Sequence, residues 1–349
     1  MSVEKIELAP GYSISRIING GWQLSEGHSP KGKADPIEDM FALVKAGITT
    51  FDCADIYTGV EELIGQFRVA YKNKLGVDPD IKVHTKFVPD YDKLATINKA
   101  YVEMIIDRSL KRLQQERLDM VQYAWWNYDI PGWVETGLWL QELQQAGKID
   151  LISTTNFNTK RTRKILDAGV KLASTQVQYS LLDHRPEKEL IELCAANDIH
   201  LLCYGTIAGG FLSERWLGKT EPHSPFENRS LIKYKLMIDQ FGGWKLFQDL
   251  LLLLKTIADK HHVGVANVAS RYVLSRKQVA GIIIGARNTD HIDDNLRTFD
   301  LKLDQADLSE INKVLSQSNE IPGDVFGLER IKDGPHGRIM KYNLNTAKS

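Results

Sequence analysis

The stretch ITTFDCADIYTGVEELIG, residues 48–65, contains one complete structural repeat of this chain. Its first part, residues 48–53, is rich in β-branched and aromatic residues, as buried strands are. A loop follows and leads into Glu61-Glu62-Leu63-Ile64-Gly65, which begins a helix. A buried strand followed by a loop and a helix predicts a βα unit, the building block of a parallel sheet.

The same pattern recurs along the whole chain. Segments with helical periodicity lie between short apolar runs. Examples are residues 36–46, 94–113, 159–168 and 187–197. The predicted strands are residues 16–20, 48–53, 82–87, 120–125, 151–155, 174–178, 200–204 and 281–284. Eight strands that alternate with helices predict an α/β fold, the (β/α)8 or TIM barrel. A doubly wound open sheet is the alternative, but no G-x-G-x-x-G turn follows an early strand.

Three further segments surround the predicted barrel. Residues 4–15 contain Pro10-Gly11 between two alternating runs, which predicts a β-hairpin that plugs the N-terminal mouth. Residues 207–280 form a long insert between the seventh and eighth strands, on the side where barrel enzymes have their active sites. Residues 322–349 form a C-terminal tail. Because no low-complexity linker divides residues 1–349, we expect a single barrel domain.

Composition excludes several classes of protein. Of 349 residues, 43% are hydrophobic and the formal net charge is −1, so a large core is expected and disorder is not. Without a basic block, neither nucleic acid nor a membrane surface is an expected partner. The longest apolar run, residues 250–254, is too short to span a bilayer. Three cysteines without pairing or metal-ligand spacing, and no signal peptide, favour the cytoplasm.

Lys86 lies inside the buried strand of residues 82–87, where a lysine is costly unless it is paired. Asp52 lies near the end of the preceding strand, and Tyr57 follows in the loop. If these strand ends meet, we expect an Asp52–Lys86 ion pair whose ammonium lowers the pKa of the Tyr57 phenol. Such a tyrosine donates a proton to a carbonyl oxygen as hydride reaches the carbon. A structural ion pair beside a core tyrosine is the alternative.

Several motifs, taken together and in order, resemble those of the aldo-keto reductase superfamily over nearly the whole chain. They are Phe51-Asp52-x-Ala54-x-x-Tyr57, Glu62-Leu63-Ile64-Gly65, Thr85-Lys86, Ser153-Thr154-Thr155-Asn156-Phe157, Gln176, Ile284-Gly285-Ala286-Arg287 and Asp293-Asp294-Asn295. The end of the tail, MKYNLN (residues 340–345), is similar to that of one subgroup. The resemblance implies a TIM barrel and assigns catalysis to Asp52, Tyr57 and Lys86, with no metal.

The resemblance also implies a nicotinamide cofactor across the C-terminal mouth. Thr155, Asn156 and Gln176 would hydrogen-bond its carboxamide, and Tyr204 would stack on its ring. Arg287 would face the adenosine 2′-phosphate, which favours NADPH/NADP+, since a guanidinium pairs well with phosphate. The remaining implied cofactor contacts are Gly21, Gly205, Thr206, Gly210, Leu212, Gly285, His291, Asp294 and Asn295.

One position departs from the family pattern. Where the family has a histidine that orients the substrate carbonyl, the fourth strand has Ala124. Three explanations compete: an engineered substitution, a bulky substrate, or another polarising group such as water or His84. His84 shares the face of Lys86 but lies deeper, so a packed core histidine is favoured for it. Trp22, Ala124 and Trp125 are expected to line an apolar substrate pocket.

The sequence thus predicts an NADPH-dependent reductase of a small-molecule aldehyde or ketone. The missing histidine supports an alternative, an NADPH-binding sensor or regulatory protein with low turnover. A lysine-dependent aldolase is a third hypothesis, because Lys86 lies on a barrel strand, but the predicted nicotinamide site argues against it. The oligomeric state stays open.

Overall fold

A computed structural model describes residues 3–25, 35–285 and 289–345. Its strands are β1 (Lys5–Ala9), β2 (Tyr12–Ser15), β3 (Ile17–Gly20), β4 (Thr50–Asp52), β5 (Lys82–Phe87), β6 (Leu118–Tyr123), β7 (Ile149–Thr155), β8 (Ser174–Gln178), β9 (His200–Tyr204) and β10 (Val279–Gly285). Strands β3 to β10 form a closed parallel barrel in chain order, and β10 pairs with β3. The (β/α)8 barrel is confirmed.

Helices cover the outside of the barrel and form most of the insert. They are α1 (Pro36–Lys45), α2 (Val60–Leu75), α3 (Lys99–Leu113), α4 (Trp133–Gln145), α5 (Thr159–Asp167), α6 (Leu190–Ala196), α7 (Arg229–Phe241), α8 (Gly243–Lys260), α9 (Val265–Leu274), α10 (Ile292–Leu296), α11 (Gln305–Leu315) and α12 (Pro335–Arg338). None of these helices is long and apolar enough to cross a membrane.

Two of the predicted boundaries that differ from the structure have clear physical causes. Helix α3 begins five residues later than the periodicity suggested, because the Asn98 side chain accepts a hydrogen bond from the Tyr101 backbone N–H, 3.0 Å away, and caps the helix. Strand β6 ends at Tyr123, where its ladder with β7 ends, so Ala124 and Trp125 lie beyond the strand. Residue 124 is therefore at the mouth of the barrel.

The N-terminal hairpin closes the bottom of the barrel, as predicted. Leu8 and Ile14 are buried in a small apolar cluster with interior barrel residues, among them Met120 and Leu202. The Ser15 hydroxyl accepts hydrogen bonds from the backbone N–H groups of residues 49 and 50, 3.2 and 3.1 Å away. Solvent therefore reaches the barrel from the opposite, C-terminal side.

The motif Glu61-Glu62-Leu63-Ile64-Gly65 packs α2 against its neighbours. The buried Glu61 carboxylate accepts a hydrogen bond from the Thr85 hydroxyl of β5, 2.6 Å away, and pairs with Arg112 of α3. A Cβ atom at Gly65 would lie 2.1 Å from the Arg112 carbonyl oxygen, so only glycine allows this approach of the two helices. The motif thus holds the segment after Tyr57 against the strand of Lys86.

Candidate active site

Asp52 and Lys86 form a buried ion pair at adjacent strand ends. The Lys86 ammonium donates to Asp52 Oδ2 at 2.6 Å and to the Cys53 carbonyl at 2.8 Å, and both side chains are about 5% exposed. Burial lowers the pKa of Lys86, but the attraction of Asp52 and Tyr57 outweighs it, and the net pKa is raised. Lys86 is therefore a cation at neutral pH.

Two glutamines complete the environment of Asp52. The amide nitrogens of Gln122 and Gln176 donate to Asp52 Oδ1 at 2.7 and 2.6 Å, and the Gln176 nitrogen also lies 2.7 Å from Gln122 Oε1. Gln122 was not predicted as a site residue, although a polar side chain inside an apolar strand is the same signal that identified Lys86. In the β5–β6 register Gln122 is the partner of Lys86.

Tyr57 lies beside this network. Its ring centroid is 4.9 Å from the Lys86 ammonium, and the ring makes an edge contact with Trp22 at 5.0 Å. Burial raises the pKa of the Tyr57 phenol, and the Lys86 charge lowers it, as expected, but by less, so the net pKa is raised. Tyr57 therefore keeps its proton at neutral pH, the state that a proton donor needs.

His84 does not reach the mouth. It is fully buried, pairs in register with Asp52, and stacks on Tyr12 of the hairpin with ring centroids 6.2 Å apart. Burial lowers its pKa to about 3 and the charges of Lys86 and Lys82 add to the effect. Among the described residues neither ring nitrogen has a hydrogen-bond partner. The favoured interpretation, a packed core histidine, agrees with this position.

The predicted pocket residues differ in how exposed they are in the structure. Ala124 is partly exposed, and its backbone N–H donates to the Phe87 carbonyl 3.0 Å away. Trp22 is partly exposed beside Tyr57. Trp125, however, is only 2% exposed, and its indole N–H donates to the Asn127 carbonyl at 2.9 Å. Trp125 is therefore packed under the loop that follows the strand, and its place in the pocket wall stays a prediction.

The residues expected around the nicotinamide lie at neighbouring strand ends. The Thr155 hydroxyl donates to Gln176 Oε1 at 3.4 Å, in a paired register position. Asn156 follows β7 with a left-handed φ of 61°, and its Oδ1 accepts from the Tyr204 hydroxyl at 2.8 Å. The Lys233 ammonium covers one face of the Tyr204 ring, 4.7 Å from its centroid. A stacked nicotinamide would therefore take the other face.

The loop after β9 has the features of a phosphate cradle. Gly205 and Gly210 have φ values of 76° and 98°, which favour glycine, and Leu212 is buried. The Thr206 hydroxyl is buried and has no hydrogen-bond partner among the described residues. An orphaned hydroxyl donor of this kind suits a phosphate oxygen. These residues fit the pyrophosphate of a dinucleotide.

The other predicted cofactor residues lie at the ends of β3 and β10 and around α10. Gly21 follows β3, and a Cβ atom there would lie 2.9 Å from the Asp52 carbonyl oxygen. Gly285 ends β10 and is exposed, and Arg287 lies outside the described residues. His291 is exposed just before α10, which contains Asp294 and Asn295. The Asp294 carbonyl accepts from the Asn267 side chain at 2.7 Å.

The C-terminal tail crosses the mouth and is held there by buried charges. Arg185, 2% exposed, forms paired hydrogen bonds with Asp183 and with Glu329 of the tail, the shortest 2.7 and 3.0 Å. The neighbouring Arg330 donates to the carbonyls of Trp125 and Asn156 at 3.1 and 2.9 Å. This connection was not predicted from the sequence, since Arg185 and Glu329 are 144 residues apart.

The end of the tail contacts the loop that carries Tyr57. Asn345 donates to Asp55 Oδ2 at 3.1 Å and to the Val88 carbonyl at 2.8 Å, and its side chain also contacts Arg108. The Val88 N–H donates to both Asp55 oxygens, at 3.1 and 3.2 Å. Asp55 thus joins the Tyr57 loop, the end of β5 and the tail.

Asp55 makes stability depend on pH. Burial raises its pKa to about 7, and the charge of Glu61 adds to the shift. Between pH ~4 and ~7 the folded chain keeps this proton and the unfolded chain releases it, so stability falls as pH rises, by up to about 1.4 kcal/mol per pH unit. We expect Asp55→Asn to remove this slope in urea unfolding across that range. Parallel slopes for the two proteins would contradict the assignment.

Comparison with known proteins agrees with the fold and the motifs. Residues 16–316 match the model of the aldo/keto reductase family. The chain belongs to this family. This aldo/keto reductase is an oxidoreductase, and the family uses nicotinamide cofactors and acts on small-molecule carbonyl compounds.

Proteins similar to this chain are named for different substrates. A chloroplastic pyridoxal reductase of Arabidopsis thaliana is 28% identical, over 86% of this chain and 82% of its own. An NADH-specific methylglyoxal reductase of Escherichia coli is 23% identical, over 84% and 93%. The solved glycerol dehydrogenase of Gluconobacter oxydans has a TM-score of 0.73 at 22% identity, over 89% of this chain and 94% of its own, which supports the fold.

Proposed function

We propose that this aldo/keto reductase reduces an aldehyde or ketone to an alcohol with NADPH, and that Tyr57 is the proton donor. The observation that carries the proposal is the buried Lys86 ammonium, bonded to Asp52 and 4.9 Å from the ring of a protonated Tyr57. When bound, the reduced nicotinamide supplies the hydride to the carbonyl carbon. Tyr57 gives its phenolic proton to the carbonyl oxygen, and Lys86 stabilises the tyrosinate left behind.

The remaining residues have supporting roles in this proposal. Asp52 holds Lys86, and Gln122 and Gln176 hold Asp52 through its second oxygen. Thr155, Asn156 and Tyr204 would position the nicotinamide, and the loop from Gly205 to Leu212 would accept the pyrophosphate. The preference for NADPH depends on Arg287, whose guanidinium would pair with the 2′-phosphate.

Two measurements test the proposal. NADPH and NADH are titrated separately by quenching of tryptophan fluorescence, and nucleotide oxidation is followed with a panel of aldehydes and ketones. Pyridoxal belongs in the panel because the Arabidopsis relative is a pyridoxal reductase. We expect tighter binding of NADPH than NADH and turnover of at least one carbonyl. A protein that binds no nucleotide would refute the proposal.

An NADPH-binding sensor with low turnover is the second candidate, and Ala124 favours it. Tight NADPH binding without turnover of any carbonyl in the panel would support the sensor. A Schiff-base aldolase is disfavoured, because a nucleophilic lysine needs a lowered pKa, whereas the pKa of Lys86 is raised.

Restoring an imidazole at position 124 tests the departure from the family. Because residue 124 lies at the mouth, directly after β6, an imidazole there can approach a bound carbonyl. We expect Ala124→His to raise kcat/KM for small aldehydes by at least about tenfold, within the range of general acid–base effects. Ala124→Leu is the matched control, since it fills space without a donor. Equal activity of both variants would mean that the site works without this group.

A further inference from the structure

Lys233 of α7 is a cation without a matching carboxylate. Its ammonium lies 4.7, 5.6 and 5.9 Å from the ring centroids of Tyr204, Tyr234 and Phe326. Within the described part of the chain, no carboxylate oxygen lies within 4.0 Å of it. Lys235, on the same helix, pairs instead with Glu221 and Asp239, at 2.7 and 2.5 Å. Lys233 therefore differs from Lys235 in having aromatic rings in place of carboxylate partners. Aromatic faces offset the cost of burying a cation only in part.

The acidic groups near Lys233 are already used. Glu329 and Asp183 both bind Arg185. Arg330 is a further cation nearby, and its guanidinium lies 5.0 Å from the ring centroid of Phe326. Lys233, Arg185 and Arg330 carry three positive charges, and Glu329 and Asp183 carry two negative charges, so one positive charge remains. His336 adds no charge at neutral pH, because burial lowers its pKa. The surroundings therefore favour an incoming anion.

Helix α7, which carries Lys233, supports the loop after β9. The next residue, Tyr234, lies beneath that loop: a Cβ atom at Gly205 would be 2.3 Å from its hydroxyl, and one at Gly209 would be 2.7 Å from its ring. Thr206, whose buried hydroxyl lacks a partner among the described residues, belongs to the same loop. The Lys233 cation thus lies over the Tyr204 ring, and the orphaned Thr206 hydroxyl lies in the loop that follows Tyr204.

We propose that Lys233 is an anion-binding residue at the mouth of the barrel and takes a phosphate or carboxylate group. The anion belongs to the pyrophosphate of the dinucleotide or to an acidic substrate. This inference rests on the proposed function, because it places a nucleotide or a carbonyl substrate beside Tyr204. In this proposal Lys233 of α7 contributes a positive charge beside a loop that otherwise offers neutral donors.

The test uses Lys233→Met, which removes the charge, and Lys233→Arg, which keeps it. Lys235→Met is the matched control on the same helix. One arm measures the Kd of NADPH by fluorescence quenching at low and high salt. In the other arm, the acid 4-carboxybenzaldehyde and its neutral methyl ester are compared as substrates, and KM is measured for each. Thermal unfolding of each variant confirms that it is folded.

A cofactor anion predicts that Lys233→Met raises the Kd of NADPH by about tenfold and weakens its salt dependence, as expected when one ionic contact is lost. A substrate anion predicts an unchanged Kd and an increase of about tenfold in KM for the acid alone. In either case Lys233→Arg retains most of the wild-type value and Lys235→Met has no effect. If the Lys233→Met variant stays within about twofold of wild type in both arms, the proposal is overturned.

A separate readout distinguishes failure of this inference from failure of the proposed function. Acetylation of Lys233 in the wild-type protein is followed by mass spectrometry with and without inorganic pyrophosphate. Protection by pyrophosphate supports the anion site even if the protein neither binds NADPH nor turns over a carbonyl. No protection, together with absent nucleotide binding, overturns both.

Discussion

Tyr57→Phe is expected to lower kcat for carbonyl reduction by about 10²- to 10⁴-fold, the usual contribution of a positioned proton donor. Only the hydroxyl is lost, so the contact of the ring with Trp22 and its position near Lys86 stay in place. The Kd of NADPH should therefore change little. Steady-state nucleotide oxidation and fluorescence titration measure the two quantities separately.

Tyr91→Phe is the control for this variant. Tyr91 is another tyrosine at the mouth, where its hydroxyl accepts from the Asn127 amide at 3.2 Å. Wild-type turnover in Tyr57→Phe would refute the proton-donor role.

Because burial raises the pKa of Tyr57, the wild-type rate should also show no loss from Tyr57 ionisation through mildly alkaline pH.

Arg185→Met should lower the free energy of unfolding by about 3–5 kcal/mol, the usual cost of breaking a buried ion pair. The variant leaves the carboxylates of Asp183 and Glu329 buried without their cation, and both are at most 2% exposed. Part of the loss is recovered if the tail leaves the barrel and hydrates Glu329. Urea unfolding monitored by circular dichroism measures the change.

Lys277→Met provides the matched comparison. Lys277 pairs with Glu192 at 2.9 Å, but both side chains are more than half exposed, at 56% and 70%. A surface pair of this kind contributes less than about 1 kcal/mol. If Arg185→Met costs no more than Lys277→Met, the charge cluster does not hold the tail.

Local sequence patterns were sufficient for much of the fold. Each strand of the barrel was identified, because a strand buried on both faces forms a continuous apolar run in the sequence. Lys86 was identified by the same rule, as a charge that such a run does not tolerate alone. Gln122 follows the rule as well, yet its role required the structure, since a neutral amide carries no charge that demands a partner.

Boundaries and side-chain directions were less accessible. The burial of Trp125 depends on where the β6–β7 ladder ends, and the apolar sequence continues past that point. Likewise, the Asn98 cap decided where α3 begins, although helical periodicity continues upstream. Hydrogen bonds between elements set both limits, and periodicity does not encode them.

By itself, then, the sequence determined the barrel, the hairpin plug and the Asp52–Lys86 pair, because each depends on patterns within a few residues or on adjacent strand ends. Only the tertiary structure decided the protonation state of Tyr57, since desolvation outweighs the attraction of Lys86. It also decided the course of the tail, in which Asn345 meets Asp55 across 290 residues of chain. Burial and long-range contacts arise only when the chain is folded, so their balance is not written in any local pattern.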